Sequence, residues 1–344
     1  MTDTAILLIY TGGTIGMKQD PVDMALKPFN FGQIVDEVPE LKKFGCRIDS
    51  VTFDPLIDSS DADAGFWSEL AALIEENYYD YDGFVILHGT DTMAYSASAL
   101  SFMLEDLEKP VIFTGSQLPI GVARTDGKEN LISAIEIACA KDSEGRARVP
   151  EVCIFFDSAL LRGNRATKYS SDEFKAFISP NYPALAEAGI NIKYHGKFIE
   201  LPQRWGKPLK VHKRLDTRAT ILRIYPGMDE NVLKNTLEMP SLRGVLIETF
   251  GSGNAPSKDW FIKNIRNASE RGLIIANVTQ CMRGGVDMEV YATGMTLKSA
   301  GVANGHDSTT ESAIAKLFFL MGQYNDNQKV KELFETNLRG EISN

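Results

Sequence analysis

The sequence predicts an α/β protein of two domains with a mostly parallel sheet. Short apolar runs recur along the chain, and amphipathic helical patterns separate most of them. Strands that alternate with helices form parallel sheets whose two faces are covered by the helices. The length of 344 residues also exceeds that of a typical single core.

The candidate strands share runs of four to seven mainly apolar residues, which is typical of strands buried on both faces. They are Ala5–Tyr10, Phe84–Leu87, Pro110–Phe113, Val152–Phe156, Ala219–Tyr225, Gly244–Ile247 and Leu273–Ala276. Apolar residues at 3.6 spacing predict a helix from Phe66 to Tyr78. Similar patterns predict helices within Thr309–Tyr324 and Lys329–Leu338.

A change in composition marks the expected domain boundary. The segment 194–217 is polar and basic and contains Pro202 and Pro208, which is typical of an interdomain connection. We therefore expect an N-terminal domain over residues 1–193, a linker over 194–217 and a C-terminal α/β domain over 218–344.

Charge and composition exclude several classes of function. The formal net charge of −10 disfavours nucleic acid or an anionic membrane as a partner, because both attract clustered Lys and Arg. The longest apolar runs are shorter than the roughly 20 residues of a membrane helix, and no export signal is visible. Four scattered cysteines and four histidines show no metal spacing. We expect a soluble protein with reduced thiols and with no metal or cofactor.

Two short motifs place hydroxyl groups and glycines directly after candidate strands. Thr11-Gly12-Gly13-Thr14 follows the first strand, and His88-Gly89-Thr90-Asp91-Thr92 follows the strand that ends at Leu87. Asp58-Ser59-Ser60-Asp61 and Thr114-Gly115-Ser116-Gln117 add two more polar strand ends. Because open α/β sheets bind ligands at the carboxyl ends of their strands, we interpret the four motifs as one site.

These residue types fit attack on a carbonyl by a threonine hydroxyl. Thr14 and Thr90 supply hydroxyl groups, and Lys168 is a candidate base that Asp91 would orient. The N–H groups at the start of the following helix could stabilise an oxyanion. Each motif alone also fits a structural role as a turn, a helix cap or a solvated lysine.

Nucleotide binding is an alternative, because glycines after a first strand also begin phosphate sites. However, Gly12, Gly13 and Gly16 do not give G-x-G-x-x-G, and Lys18 lacks the surroundings of a P-loop lysine. The details of the motif therefore disfavour this interpretation.

Together the motifs resemble those of the bacterial-type L-asparaginases, in particular the cytoplasmic type I branch. Leu8 to Gly16 and Gly83 to Met93 are similar to the two signatures of that family, and the similarity extends to Asn277–Cys281. The resemblance implies a larger N-terminal domain with a doubly wound, mostly parallel sheet, a smaller C-terminal α/β domain, and a homodimer or homotetramer. It implies an L-asparagine amidohydrolase that releases aspartate and ammonia, with glutamine as a lesser substrate.

The resemblance also implies the catalytic residues. Thr14 is similar to the nucleophilic threonine of the family, and Thr90, Asp91 and Lys168 are similar to its second threonine, its aspartate and its lysine. A β-aspartyl-enzyme would form with loss of ammonia and would then be hydrolysed by water.

Substrate-binding residues follow from the same resemblance. Ser59 and Ser60 match the residues that hold the α-carboxylate of the substrate, and Asp91 matches the group that faces its α-ammonium. N–H groups near Gly89, with a contribution from the region of Ser116, would polarise the amide carbonyl.

The flexible loop and the effector site both depart from the family pattern. The segment Met17–Phe31 has no tyrosine, although the flexible loop of the family normally brings one over the site. Some type I enzymes have an effector site that resembles the surroundings of Asn254 and Cys281, and Glu248 stands here at the arginine position of that site. A glutamate would repel the carboxylate of an asparagine effector, so weak or absent activation is expected.

Two other functions compete with this interpretation. The asparaginase-like subunit of a transfer-RNA amidotransferase would carry an additional N-terminal domain and bind RNA, whereas here the first signature lies close to Met1 and the chain is acidic. A sensor that binds the amino acid without turnover is consistent with the missing loop tyrosine. The presence of Thr14, Thr90, Asp91 and Lys168 argues against a sensor.

Overall fold

A computed structural model gives the structure of the chain and describes residues 4–19, 26–28, 38–289 and 292–343. The chain divides into two units, the first formed by Met1–Ser179 and Pro183–Lys213 and the second by Pro180–Tyr182 and Arg214–Asn344. The division after Lys213 falls within the segment 194–217, most of which belongs to the first unit. The expected domain bounds stay a prediction.

The first unit contains a sheet that has eight strands within the described ranges. In chain order the strands are β1 (Ala5–Tyr10), β2 (Arg47–Thr52), β3 (Gly83–Leu87), β4 (Val111–Thr114), β5 (Val152–Phe156), β6 (Ala159–Arg162), β7 (Ala186–Ala188) and β8 (Ile192–Tyr194). Their spatial order is β8-β7-β6-β5-β4-β3-β1-β2. The strands from β2 to β5 in this row are parallel, and β6, β7 and β8 pair antiparallel.

Three short strand pairs accompany this sheet. They are Met17–Gln19 with Leu26–Pro28, Leu104–Glu105 with Lys210–Val211, and Thr167–Lys168 with Phe177–Ile178. Each pair is antiparallel. The last pair fixes the backbone at Lys168.

Burial explains which strands the sequence revealed. Every residue of β1, β3, β4 and β5 is buried, so each of these strands appears as an apolar run. Strand β2 lies at the edge of the sheet and is largely exposed, so its sequence, Arg-Ile-Asp-Ser-Val-Thr, has no such run. The prediction of a mostly parallel α/β fold is confirmed.

Helices cover the faces of the sheet. They are α1 (Ala64–Asn77), α2 (Met93–Met103) and α3 (Gly127–Cys139). Helix α1 begins after Asp63, whose carboxylate accepts a hydrogen bond from the backbone N–H of Phe66 at 2.9 Å. Helix α2 packs against β5, and α3 packs against β3 and β4.

The second unit is a smaller α/β domain with a four-stranded parallel sheet in the part of the chain that the structure describes. Its strands are β9 (Ala219–Arg223), β10 (Gly244–Thr249), β11 (Ile274–Thr279) and β12 (Ala303–Asn304), adjacent in that order. Its helices are α4 (Glu230–Leu237), α5 (Asp259–Glu270), α6 (Ala292–Ser299), α7 (Thr310–Gln323) and α8 (Asn327–Phe334).

None of the helices in the described ranges combines the length and the apolar character that a bilayer span needs.

Candidate active site

The strand order places a crevice at the carboxyl ends of the central strands. Strand β1 lies between β2 and β3. The chain passes from β1 to β2 on one side of β1 and then crosses to β3 on the other side. Sheets with this arrangement bind ligands where the order reverses. A cleft of about 390 Å³ lies there, and six of the expected site residues line it, namely Thr14, Ser59, Gly89, Thr90, Asp91 and Lys168.

Glycines allow the strand-end loops to touch each other. A Cβ atom on Gly13 would lie 2.6 Å from the backbone nitrogen of Gly89, and one on Gly12 would lie 2.1 Å from the carbonyl oxygen of Ile57. A Cβ atom on Gly89 would lie 2.7 Å from the Cβ of Ser59. Real Cβ atoms do not approach other atoms this closely, so the glycines permit the convergence of the motifs.

Lys168 joins two of the expected catalytic groups. Its ammonium donates a hydrogen bond to Thr90 Oγ1 at 2.9 Å and lies 2.5 Å from Asp91 Oδ1. The Lys168 side chain is 20% exposed, whereas that of Asp91 is 67% exposed. The carboxylate therefore orients the lysine while keeping a face open to the cleft. Because Thr90 Oγ1 accepts the bond from Lys168, the hydroxyl proton of Thr90 is free to point elsewhere.

Thr14 lies at the start of a 3-10 turn, Thr14–Gly16, which is partly buried. The hydroxyl of Tyr10 holds this turn by donating a hydrogen bond to the carbonyl of Gly16 at 3.0 Å. Burial raises the pKa of Tyr10 to about 12, so the phenol keeps its proton at neutral pH. Tyr10 also lines the cleft, and its role there is to fix the turn that carries Thr14.

The loop after β2 brings Ser59 to the cleft. Ser59 is buried, and its carbonyl accepts a hydrogen bond from Thr92 Oγ1 at 2.5 Å, which ties this loop to the start of α2. Ser60 is exposed and does not line the cleft; its hydroxyl donates to Asp58 Oδ1 at 2.7 Å. Hydrogen bonds from the Ser60 backbone and hydroxyl lower the pKa of Asp58.

The loop after β4 places Gln117 rather than Ser116 in the cleft wall. The Ser116 hydroxyl donates to the carbonyl of Leu118 at 2.6 Å, inside the loop. Asp126, the residue before α3, accepts hydrogen bonds from the backbone N–H groups of Gln117 and Leu118 at 3.0 to 3.1 Å. These bonds hold the loop against the start of the helix.

A buried hydrogen-bond chain supports the Gly89 turn from behind. Trp67 Nε1 donates to Ser96 Oγ at 2.9 Å, Ser96 Oγ lies 3.0 Å from His88 Nε2, and His88 Nδ1 lies 2.7 Å from the carbonyl oxygen of Gly89. Because an indole N–H only donates and a carbonyl only accepts, the network assigns the proton of His88 to Nδ1. Burial lowers the pKa of His88 to about 4, so the ring is neutral.

Two family models together match most of the chain. The model "Asparaginase, N-terminal" matches residues 5–200, and "Glutaminase/Asparaginase C-terminal domain" matches residues 218–334. The chain belongs to the asparaginase family.

Individual relatives agree with this membership. The chain is 42% identical to L-asparaginase 1 of Escherichia coli strain K12, with 100% of this chain and 99% of that protein covered. The crystal structure of L-asparaginase I from Vibrio cholerae matches with a TM-score of 0.89 and 40% identity, covering 99% of this chain and 100% of that one. A glutamyl-tRNA(Gln) amidotransferase subunit of Pyrococcus horikoshii is 31% identical, and the match covers 98% of this chain and 76% of that protein.

The expected family, fold class and amidohydrolase class are thereby confirmed. The names of the relatives from Escherichia coli and Vibrio cholerae are consistent with the type I branch that the motifs predicted. The roles of individual site residues stay predictions, since the similarity concerns whole chains.

Several further residues line the cleft of this asparaginase. They are Met17, Leu56, Ile57, Asp58, Gln117 and Ser171, in addition to Tyr10. Asp58 and Gln117 belong to two of the polar motifs at strand ends, so the sequence indicated that they lie near the site. Ser171 follows Lys168 in a polar segment, and the sequence gave no such indication for it. The expectation about a loop without a tyrosine concerns residues 17–31, of which 20–25 and 29–31 lie outside the described residues.

The effector-site candidates of the family lie in the second unit. Glu248, near the carboxyl end of β10, is buried, and its Oε1 accepts a hydrogen bond from Thr310 Oγ1 at 2.7 Å. Its Oε2 lies 3.6 Å from the guanidinium of Arg223. Asn254 follows β10 and pairs with Phe250 through the backbone. Cys281 is exposed beyond the end of β11.

Side chains that ligate metals do not cluster in the described part of the chain. Among residues 4–19, 26–28, 38–289 and 292–343, no group of three or more His, Cys, Asp and Glu side chains is placed to hold a metal ion.

Proposed function

We propose that this protein hydrolyses the side-chain amide of L-asparagine to aspartate and ammonia through a threonyl acyl-enzyme. The observation that carries the proposal is one cleft lined by Thr14, Thr90, Asp91 and Lys168, in a chain of the asparaginase family. These residues supply a nucleophilic hydroxyl, a second hydroxyl and a lysine that can assist proton transfer, and a carboxylate that orients the lysine. Acyl transfer through a hydroxyl uses groups in these roles.

The charges of the cleft suit an amino acid. The Asp91 carboxylate, which is mostly exposed, can face an α-ammonium, and Lys168 balances its charge at 2.5 Å. Ser59, which is buried and lines the cleft, can hold an α-carboxylate through its hydroxyl. A substrate that lacks one of the two charged groups would leave either Asp91 or the buried Ser59 without its partner in the substrate, which lowers the reactivity of that substrate.

The reaction would run in two steps. The Thr14 hydroxyl attacks the amide carbon, and its proton passes by way of the Thr90 hydroxyl to the leaving nitrogen, which departs as ammonia. The Lys168 ammonium stabilises the negative charge that develops on Thr90 Oγ1 during this transfer. The product of this step is a β-aspartyl ester on Thr14. Water then attacks the ester carbon, its proton passes by way of the Thr90 hydroxyl to Thr14 Oγ1, and the ester bond to Thr14 breaks to release aspartate. N–H groups at the Gly89 turn would stabilise the oxyanion in both steps.

Ammonia release from asparagine tests the proposal. The variants Thr14→Ala, Thr90→Val and Lys168→Met are each expected to lower kcat by roughly 10³-fold or more, because each removes a group of a unit that acts together. Thr52→Ala, at an exposed threonine that ends β2, serves as the matched control and should keep full activity. Wild-type protein that releases no ammonia, or a Thr14→Ala variant as active as wild type, would show the proposal to be wrong.

Trapping the intermediate tests the identity of the nucleophile separately. After rapid acid quench with asparagine, the peptide that contains Thr14 should carry the mass of an aspartyl group. A label on the peptide of Thr90 would instead assign the nucleophile to Thr90.

Glutamine as a lesser substrate, a homodimer or homotetramer, and a cytoplasmic location also stay predictions. For glutamine we expect kcat/KM to be lower than for asparagine by roughly 10- to 200-fold, because one extra methylene group in a fitted pocket changes substrate discrimination by about that factor.

A further inference from the structure

Two cysteine thiols meet on the side of the first unit. The Sγ atoms of Cys46 and Cys139 lie 2.9 Å apart, although the residues are separated by 93 positions in the chain. Both residues are free cysteines of intermediate exposure. The other two cysteines differ, since Cys153 is buried and Cys281 is exposed, and neither has a sulfur partner among the described residues.

Regular secondary structure holds both thiols in place. Cys46 directly precedes β2, whose first residue, Arg47, pairs with Ala5 of β1. Cys139 is the last residue of α3, and the next residue, Ala140, caps that helix through a bond to the carbonyl of Ile137. Because a paired strand and a packed helix set both Cα positions, the approach of the sulfurs is a property of the fold.

A local ion pair further fixes this corner. Asp82 accepts hydrogen bonds from the backbone N–H of Ala5 at 2.9 Å and from the ammonium of Lys141 at 2.9 Å. Lys141 lies two residues after Cys139, and Ala5 pairs with the residue after Cys46. The ion pair therefore links the segment after α3 to the start of β1, the strand that pairs with the residue after Cys46.

We propose that Cys46 and Cys139 form a reversible intramolecular disulfide, which makes the pair an oxidative modification site of this protein. The oxidant is a low-molecular-weight disulfide. The thiolate of one cysteine attacks it, giving a mixed disulfide and one free small thiol; the second cysteine then displaces the other small thiol and completes the Cys46–Cys139 bond. Two protein thiols are oxidised, one small disulfide is reduced to two thiols, and the electrons balance.

The bond would stabilise the half of the fold that carries the cleft. It would close a loop containing the ends of β2, β3 and β4, which supply Ser59, Thr90 and Gln117. Cross-linking so long a loop lowers the conformational entropy of the unfolded chain. It would also anchor β2, which lies at the end of the sheet order and has β1 as its partner within the described residues.

The protein of residues 1–344 is first reduced and then freed of reductant. One sample is incubated with glutathione disulfide, and a second sample that stays reduced is the control. We expect the intact mass to fall by two hydrogens, a non-reduced digest to contain the Cys46 peptide joined to the Cys139 peptide, and dithiothreitol to reverse both changes. The thermal unfolding midpoint should rise by roughly 5–10 °C on oxidation. This readout does not depend on catalytic activity, so it can fail or succeed independently of the proposed function.

Single variants supply the controls. Cys46→Ser and Cys139→Ser should each abolish the linked peptide and the rise in midpoint, whereas Cys153→Ser and Cys281→Ser should keep both. The linked Cys46–Cys139 peptide is measured in the wild-type protein. Its presence or absence therefore tests the proposal even if a variant does not fold. The proposal would be wrong if Cys46 and Cys139 could both still be alkylated after prolonged oxidation, because alkylation labels only free thiols. A disulfide that joins other cysteines or two chains would also contradict it.

Discussion

The chemistry of single residues in this protein is set by their immediate neighbours. Lys168 follows the Gly163–Arg165 turn in a basic segment, and by sequence alone it resembles a solvated lysine. In the structure its ammonium contacts both Thr90 and Asp91. The strand pair Thr167–Lys168 with Phe177–Ile178 fixes its backbone, so the lysine is directed into the cleft.

His88 is expected to make stability depend on pH. Its pKa is about 4 in the folded protein and 6.5 in the unfolded chain. Between pH 4 and pH 6.5 this histidine is protonated in the unfolded chain but neutral in the folded protein. The free energy of unfolding therefore falls as pH decreases from about 6.5 toward 4. The total loss of stability is about 3 kcal/mol below pH 4, and it is absent above about pH 7.

The variant His88→Asn tests this prediction. The asparagine amide can still donate a hydrogen bond to the carbonyl of Gly89, but it does not titrate. Denaturant unfolding at pH 7 and pH 5 should therefore show a smaller loss of stability for the variant than for wild type. His195→Asn, at a partly exposed histidine, is the control. An equal loss in wild type and in His88→Asn would contradict the prediction.

The elements of the first unit meet through their glycines. Gly13, Gly89 and Gly115 each lie where a Cβ atom would come within 3.0 Å of backbone or of a Cβ atom in a neighbouring motif. The loops that end β1, β2, β3 and β4 can therefore share one small cleft only because these positions lack side chains.

Gly89→Ala is expected to separate the loops after β2 and β3. The added methyl group would lie 2.7 Å from the Cβ of Ser59, so the two loops must move apart by a fraction of an ångström or more. We expect kcat/KM to fall by roughly 100-fold, since misplacement of catalytic groups on this scale costs about that factor, and stability to fall by roughly 1–3 kcal/mol.

A second glycine provides the comparison. Around Gly121 the space for a Cβ atom is open within 4 Å, so Gly121→Ala should leave both activity and stability near wild type. Ammonia release and the thermal unfolding midpoint are measured for both variants. Similar effects of the two substitutions would refute the assignment of Gly89 to a packing contact.

At the scale of the whole molecule, the question is whether asparagine also acts as an effector. The candidate residues lie in the second unit, whereas the cleft lies in the first. The Glu248 carboxylate accepts a hydrogen bond from Thr310 and lies 3.6 Å from the Arg223 guanidinium. Unlike an arginine at this position, it has no donor for the carboxylate of an asparagine effector and repels that carboxylate. If asparagine does not bind at a second site, no coupling free energy can change its binding or turnover in the cleft.

We therefore expect a hyperbolic dependence of rate on asparagine concentration, with a Hill coefficient of about 1. Initial rates of ammonia release across a wide range of concentration provide the measurement. A sigmoidal curve would show that an effector site operates despite Glu248.

The sequence by itself determined the α/β class, the buried strands and the strand-end motifs. Strands buried on both faces must be apolar, and ligands of parallel sheets meet polar strand ends, so both features are written locally in the chain. The family followed from those motifs as well. Edge strand β2 and the antiparallel strands β6, β7 and β8 were not predicted, because β2 is partly exposed and the other three have only three or four residues.

Only the tertiary structure decided which side chains face the cleft and which groups are paired. Ser59 lines the cleft while the adjacent Ser60 turns to Asp58, and Cys46 meets Cys139 across the fold. The physical reason is that contacts between residues far apart in the chain depend on strand order and loop packing, which no local pattern of residues encodes.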